Sequence, residues 1–139
     1  MGKYEPYIYA LLRIVTGFLM LWHGSQKLFG FPPQQAPPGS AQQGLSPLMA
    51  VAGAIELGGG ILIMIGLFAG FAAFLSSGLM AVAYFMAHFS MQAFLPLQNR
   101  GELAVLYCFV FLYIAARGSG VWSVDSLLNR PKPGTVNET

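Results

Sequence analysis

The sequence predicts an all-α membrane protein, a bundle of four transmembrane helices followed by a short interfacial helix. Three observations predict it. Hydrophobic residues make up 55% of the 139-residue chain and charged residues only 9%, which leaves too little polar surface to cover a soluble helical domain. The apolar residues gather in runs long enough to cross hydrocarbon, a crossing that takes about 20 helical residues. Breaks rich in glycine and proline separate those runs.

The first span is expected over Tyr7 to Phe29, with Pro6 suited to a first helical turn. It lacks a small-residue cleavage site and carries Arg13 and Lys27, so it reads as a retained span rather than a signal peptide. Gly30 to Gly44 holds Pro32, Pro33, Pro37 and Pro38 and reads as an ordered loop or lid. Ser46-Pro47 supplies an N-cap and a first-turn proline. The apolar stretch that follows fits two spans, Pro47 to Leu67 and Phe71 to Phe94, with the break near Gly66 and Gly70 and Pro96 ending the third span. Asn99 to Glu102 has the spacing of a capping box, and the fourth span is expected over Gly101 to Ala116. Val121 to Leu128 reads as an interfacial helix with Trp122 at headgroup level. Residues 1–128 are therefore expected to form one domain and 129–139 a flexible tail.

Four spans place both termini on one side. Lys3, Arg117, Arg130 and Lys132 share that side, so the positive-inside rule favours cytoplasmic termini in a plasma membrane. A net charge of +2 offers no basic face for nucleic acid. Cys108 is the only cysteine, which excludes an intrachain disulfide, a CxxC redox pair and a thiolate metal cluster; it reads as a small apolar helix residue. Gly17 and Gly24 on the first span, with Gly53 and the run Gly58-Gly59-Gly60 on the second, read as a seam of close helix approach.

Ionisable side chains at bilayer depth are expensive and mark partners or wet cavities. Counted inward at 1.5 Å per residue, His23 and His88 lie roughly 9 Å, and Glu56 roughly 13 Å, from the outer ends of their spans. Lys27 sits one turn outward of His23 on a similar face, and Glu102 sits at the same boundary. These five residues are the candidate ligand-binding or proton-relay set. The histidines suit hydrogen bonds to a quinone-like carbonyl, Glu56 suits proton exchange or a cation, and Lys27 suits an anionic oxygen. A structural alternative makes them an internal network, with Glu56 paired to His23 or Arg13. Arg13 lies near the inner end, where its stem can snorkel, and reads as a structural or headgroup-facing residue. Axial haem b ligation by two histidines, or a metal held by them and a carboxylate, is a weaker reading of the same residues, and no metal site is assigned. Glu102 also reads as a simple cap residue.

Several stretches resemble the DoxX family. Arg13 followed by Gly17, then His23-Gly24 and Lys27-Leu28-Phe29-Gly30, is similar to its first-helix signature, and Glu56 with Gly59-Gly60 and Gly66-Leu67 is similar to its second helix. Asn99-Arg100-Gly101-Glu102-Leu103, and Gly118, Gly120, Ser123 and Asp125, resemble the start and end of its fourth. Arg100 departs from the pattern, where a small residue is usual, and would narrow or charge the outer mouth. The resemblance implies a four-helix membrane subunit of a quinone-linked oxidoreductase system, acting with a redox partner protein. Two rival functions stand beside it: a small-solute or proton-coupled transporter, which four short spans would build as a homo-oligomer, and a non-catalytic assembly subunit.

Overall fold

A computed structural model describes residues 2–33 and 45–129. The expected lid falls largely, and the expected tail almost wholly, outside the described residues. Among the described residues five α-helices follow one another: α1 (Glu5–Phe29), α2 (Pro47–Ile65), α3 (Ala69–Ala83), α4 (Glu102–Arg117) and α5 (Val124–Leu128). One π turn, Tyr84–His88, continues α3. No strand occurs among the described residues.

Among the described residues three helical stretches are long and apolar enough to cross a membrane, Gly2–Phe29, Pro47–Ile65 and Ala69–His88. The expected fourth span is present as a helix, but at 16 residues it rises only about 24 Å. The third ends earlier than the sequence suggests, at His88 rather than Phe94. Local polar bonds outcompete the helix there. Phe89 turns extended, Ser90 Oγ accepts from Ala93 N at 3.1 Å, and Tyr84 Oη donates to Phe94 O at 2.9 Å. The capping box is also absent. Gly101 precedes α4 without a side-chain cap, and Asn99 Oδ1 instead accepts from Gly101 N at 2.8 Å.

Helix α1 packs along α2, α3 along α4, and α2 joins the two pairs through α3. Glycine sets the α1–α2 distance. A Cβ on Gly17 would lie 2.6 Å from Met64 N, one on Gly60 2.6 Å from Leu21 N, and one on Gly24 2.6 Å from Gly53 O. Only hydrogen at these positions lets the backbones meet. Gly59 instead faces Ser76 on α3, and Gly58 faces open space, so the glycine run serves two seams with one residue to spare.

The polarity is inverted relative to a soluble bundle. Arg13, Thr16, Glu56, Ser76 and Ser77 are buried, while Ile8, Leu11, Val15, Phe71, Phe74, Leu106 and Phe109 are exposed. Water would penalise that arrangement and lipid favours it. Met20, Ile63, Ala73, Phe111 and Ile114 form the apolar centre, with Cys108 packed against it. Ser77 Oγ donates to Cys108 O at 2.8 Å and links α3 to α4.

Arg13 fixes the opposite end from the histidines. Its side chain does not snorkel outward: the residue is 0% exposed. Its guanidinium donates to Ile63 O at 2.6 Å, Met64 O at 2.8 Å and Trp122 O at 2.7 Å, with a longer contact to Val121 O. Helix α2 ends in a Schellman turn at Gly66, φ 72°, where Leu67 N donates to Leu62 O at 3.0 Å. Turn and arginine together satisfy carbonyls that a helix C-terminus leaves unpaired. Gly66 is needed twice, since a Cβ would also lie 2.7 Å from Arg13 Nη1. The segment after α4 straps onto this turn: Asp125 N donates to Gly66 O, and Asp125 Oδ2 accepts from Phe68 N and Ser119 Oγ. Tyr9 Oη donates to Gly118 O beside it.

Candidate functional site

At the other end, four elements enclose a cavity of about 210 Å³. Helix α1 contributes His23 and Lys27, α2 contributes Glu56, the π turn contributes His88, and α4 with the residue before its N-cap contributes Tyr107, Ala104 and Arg100. Four of the five candidate residues therefore meet in one space. Glu102 does not line it, and is exposed on the first turn of α4.

Local structure explains why these side chains converge. Lys27 lies one helical turn beyond His23, so both project from one face of α1. Gly24 lies between them and lets α2 approach, which brings Glu56 alongside. Glu56 pairs with Lys27, not with His23 or Arg13. The pair is asymmetric in burial, with side-chain exposures of 28% for Lys27 and 3% for Glu56. Oε1 meets the ammonium, whereas Oε2 is buried and has no hydrogen-bond partner among the described residues. An unpaired buried carboxylate oxygen is costly, and such an atom inside a cavity is a place for a donor to bind.

The π turn places His88. Its ring lies near-parallel to Tyr84 at 6.5 Å, and its Nδ1 is 3.1 Å from Asn99 O. His23 meets the edge of Tyr107 at 6.2 Å between ring centroids, and Tyr107 stacks on Phe111 at 5.4 Å. Met20 and Met80 supply the apolar floor. The space thus combines one ion pair, two imidazoles and an aromatic wall. It can hold a small ring by its face and edge and offer polar atoms to substituents. Among the described residues, no group of three or more His, Cys, Asp or Glu is placed to hold a metal ion.

Tyr107, Met20 and Met80 were not singled out by sequence reasoning. Only their i, i+3, i+4 spacing with other buried residues signals them, and that spacing equally marks ordinary core. A second, wider hollow of about 480 Å³ lies beside the Arg13 end, between Phe68, Phe71, Ser119 and Asp125. The carboxylate there is already bonded to Phe68 N and Ser119.

Residues 8–89 match the family model described as DoxX. A Haemophilus influenzae protein described as uncharacterized is 42% identical over 126 residues, covering 89% of this chain and 92% of its own length. No solved structure matches the chain.

Proposed function

The chain belongs to the DoxX family of membrane proteins, and from that premise we propose that it is the membrane subunit of a quinone-linked or related oxidoreductase system, binding a small aromatic or quinone-like ligand in the cavity at His23, Lys27, Glu56 and His88. The observation that carries the proposal is one cavity that receives two histidines, the Lys27–Glu56 pair and the ring of Tyr107. In this reading α1 to α4 all cross the plasma membrane with both termini cytoplasmic, and residues 1–128 act as one domain. The short α4 is accommodated by local thinning of the bilayer, which costs fractions of a kcal/mol per Å of mismatch. The cavity then opens in the outer leaflet.

The volume supports a ligand of one ring. It equals about seven water molecules at ~30 Å³ each, and falls below the ~300–1,000 Å³ of sites for drug-sized molecules. A longer tail would lie along the lipid-facing helices. With Cys108 as its one thiol and no nucleotide motif, the chain would exchange electrons through a bound cofactor or a partner protein. The test is binding of tetramethyl-benzoquinone to the full chain in lipid nanodiscs, read by equilibrium dialysis, beside His23→Ala and His88→Ala. Saturable binding weakened by both substitutions is the expected result. Unchanged affinity in both variants, or no binding of any small aromatic, would overturn the reading.

A further inference from the structure

The polar atoms around the cavity are not all matched. Among the described residues, Glu56 Oε2 is an acceptor without a donor. Asn99 O, a backbone carbonyl, can only accept, so the hydrogen of a neutral His88 lies on Nδ1 and its Nε2 is a second acceptor. Lys27 places one of its three N–H donors on Glu56 Oε1. A quinone has carbonyl acceptors only and would leave Oε2 unpaired. A ring hydroxyl would satisfy it.

Charge is uneven as well. Lys27 and Arg100 bring two positive charges to the cavity and Glu56 brings one negative charge. Among the described residues Arg100 has no carboxylate partner. The turn before α4 holds its backbone at φ 58°, fixed by Gly101 N donating to Pro96 O at 3.0 Å. A guanidinium recognises carboxylate by paired, planar hydrogen bonds. One surplus cation at the mouth and one unmatched acceptor in the depth describe a ligand with an anion at one end and a hydroxyl at the other.

We propose that the cavity binds a monoanionic hydroxyaryl carboxylate, a single ring whose hydroxyl donates to Glu56 Oε2 and whose carboxylate meets Arg100. The proposal rests on the reading above that this cavity takes a small aromatic. Tyr107 and Met20 cover the ring, and the hydroxyl and carboxylate stand on opposite sides of it.

The test is a binding matrix on the full chain in nanodiscs, with 4-hydroxybenzoate, benzoate, 4-hydroxybenzamide and tetramethyl-benzoquinone as probes. A hydrogen bond to a charged group predicts that benzoate binds at least about tenfold more weakly than 4-hydroxybenzoate. A pair at the more exposed mouth predicts a loss of about two- to fivefold for the amide. Glu56→Gln should shrink the first gap and leave the second, and Arg100→Gln should erase the second and leave the first. Arg100 is exposed on a turn, so its variant tests the assignment even where Glu56→Gln fails to fold. Equal affinity for 4-hydroxybenzoate and benzoate overturns the inference, as does a carboxylate preference that survives Arg100→Gln. Binding of the quinone without binding of the acids overturns it and leaves the broader reading standing. No binding of any probe overturns both.

Discussion

Gly17→Ala tests the seam on which the cavity depends. The added Cβ would fall 2.6 Å from Met64 N and 2.7 Å from Gly60 O, both backbone atoms that no rotamer change can move. Ordinary contacts of this kind lie near 3.5–4.0 Å, so α1 and α2 must part by about 1 Å along their crossing. Overpacking of that size costs about 1–3 kcal/mol. Alanine for glycine within a helix also gains about 0.5–1 kcal/mol, which masks part of the loss. Gly58→Ala isolates that gain, because its Cβ meets nothing within 4 Å. The gain cancels in the comparison. Gly17→Ala is therefore expected to be less stable than Gly58→Ala by about 1–3 kcal/mol, measured by reversible unfolding in mixed micelles. Equal stability of the two variants would refute the close backbone approach, and with it the route by which Glu56 reaches Lys27.

Three further outcomes follow from the same structure. Arg13→Met should destabilise the protein by on the order of 3 kcal/mol in the same unfolding assay, because carbonyls of α2 and Trp122 lose a buried charged donor. Arg13→Lys should recover only part of that, since a point ammonium cannot span both sets of carbonyls. Lys27→Met should cost about 2 kcal/mol by leaving Glu56 buried without its partner, while the double variant Lys27→Met/Glu56→Gln should lie within about 1 kcal/mol of the parent, a coupling that a double-mutant cycle reads directly. In a Cys108→Ser background, cysteines placed at Lys3 and Ser126 should react with an impermeant maleimide from the same face of sealed vesicles; labelling from opposite faces would refute four crossings.

The helix ends were legible where local chemistry acts alone. Ser46 accepts from Met49 N, Pro47 begins α2, and Gly66 closes it in a left-handed turn, as the residue types dictate. The end of α3 was not legible, because Met91, Ala93 and Phe94 carry the apolar pattern past Ser90 and Gln92, and Ser90, Tyr84 and Asn99 divert the chain through hydrogen bonds to backbone groups. Depth along the spans pointed to His23, Lys27, Glu56 and His88 as neighbours, since it follows from rise per residue. Their pairing did not, because it depends on helix rotation. Lys27 rather than His23 reaches Glu56, and the close approach of α1 and α2 at Gly24 sets that choice. For Arg13 the structural reading stands, but the residue is buried rather than snorkelling. Its partners are main-chain oxygens, which no residue type advertises, and Trp122 is 109 positions away.

That separation bears on how the chain is built. During synthesis Arg13 enters the bilayer with the first helix, and the carbonyl of Trp122 emerges only after nearly all the remaining chain has followed. The partners of Arg13 on α2, Ile63 O and Met64 O, lie much closer in sequence. The strap around Ser119, Trp122 and Asp125 thus makes the Arg13 end depend on contacts between the two extremes of the described residues.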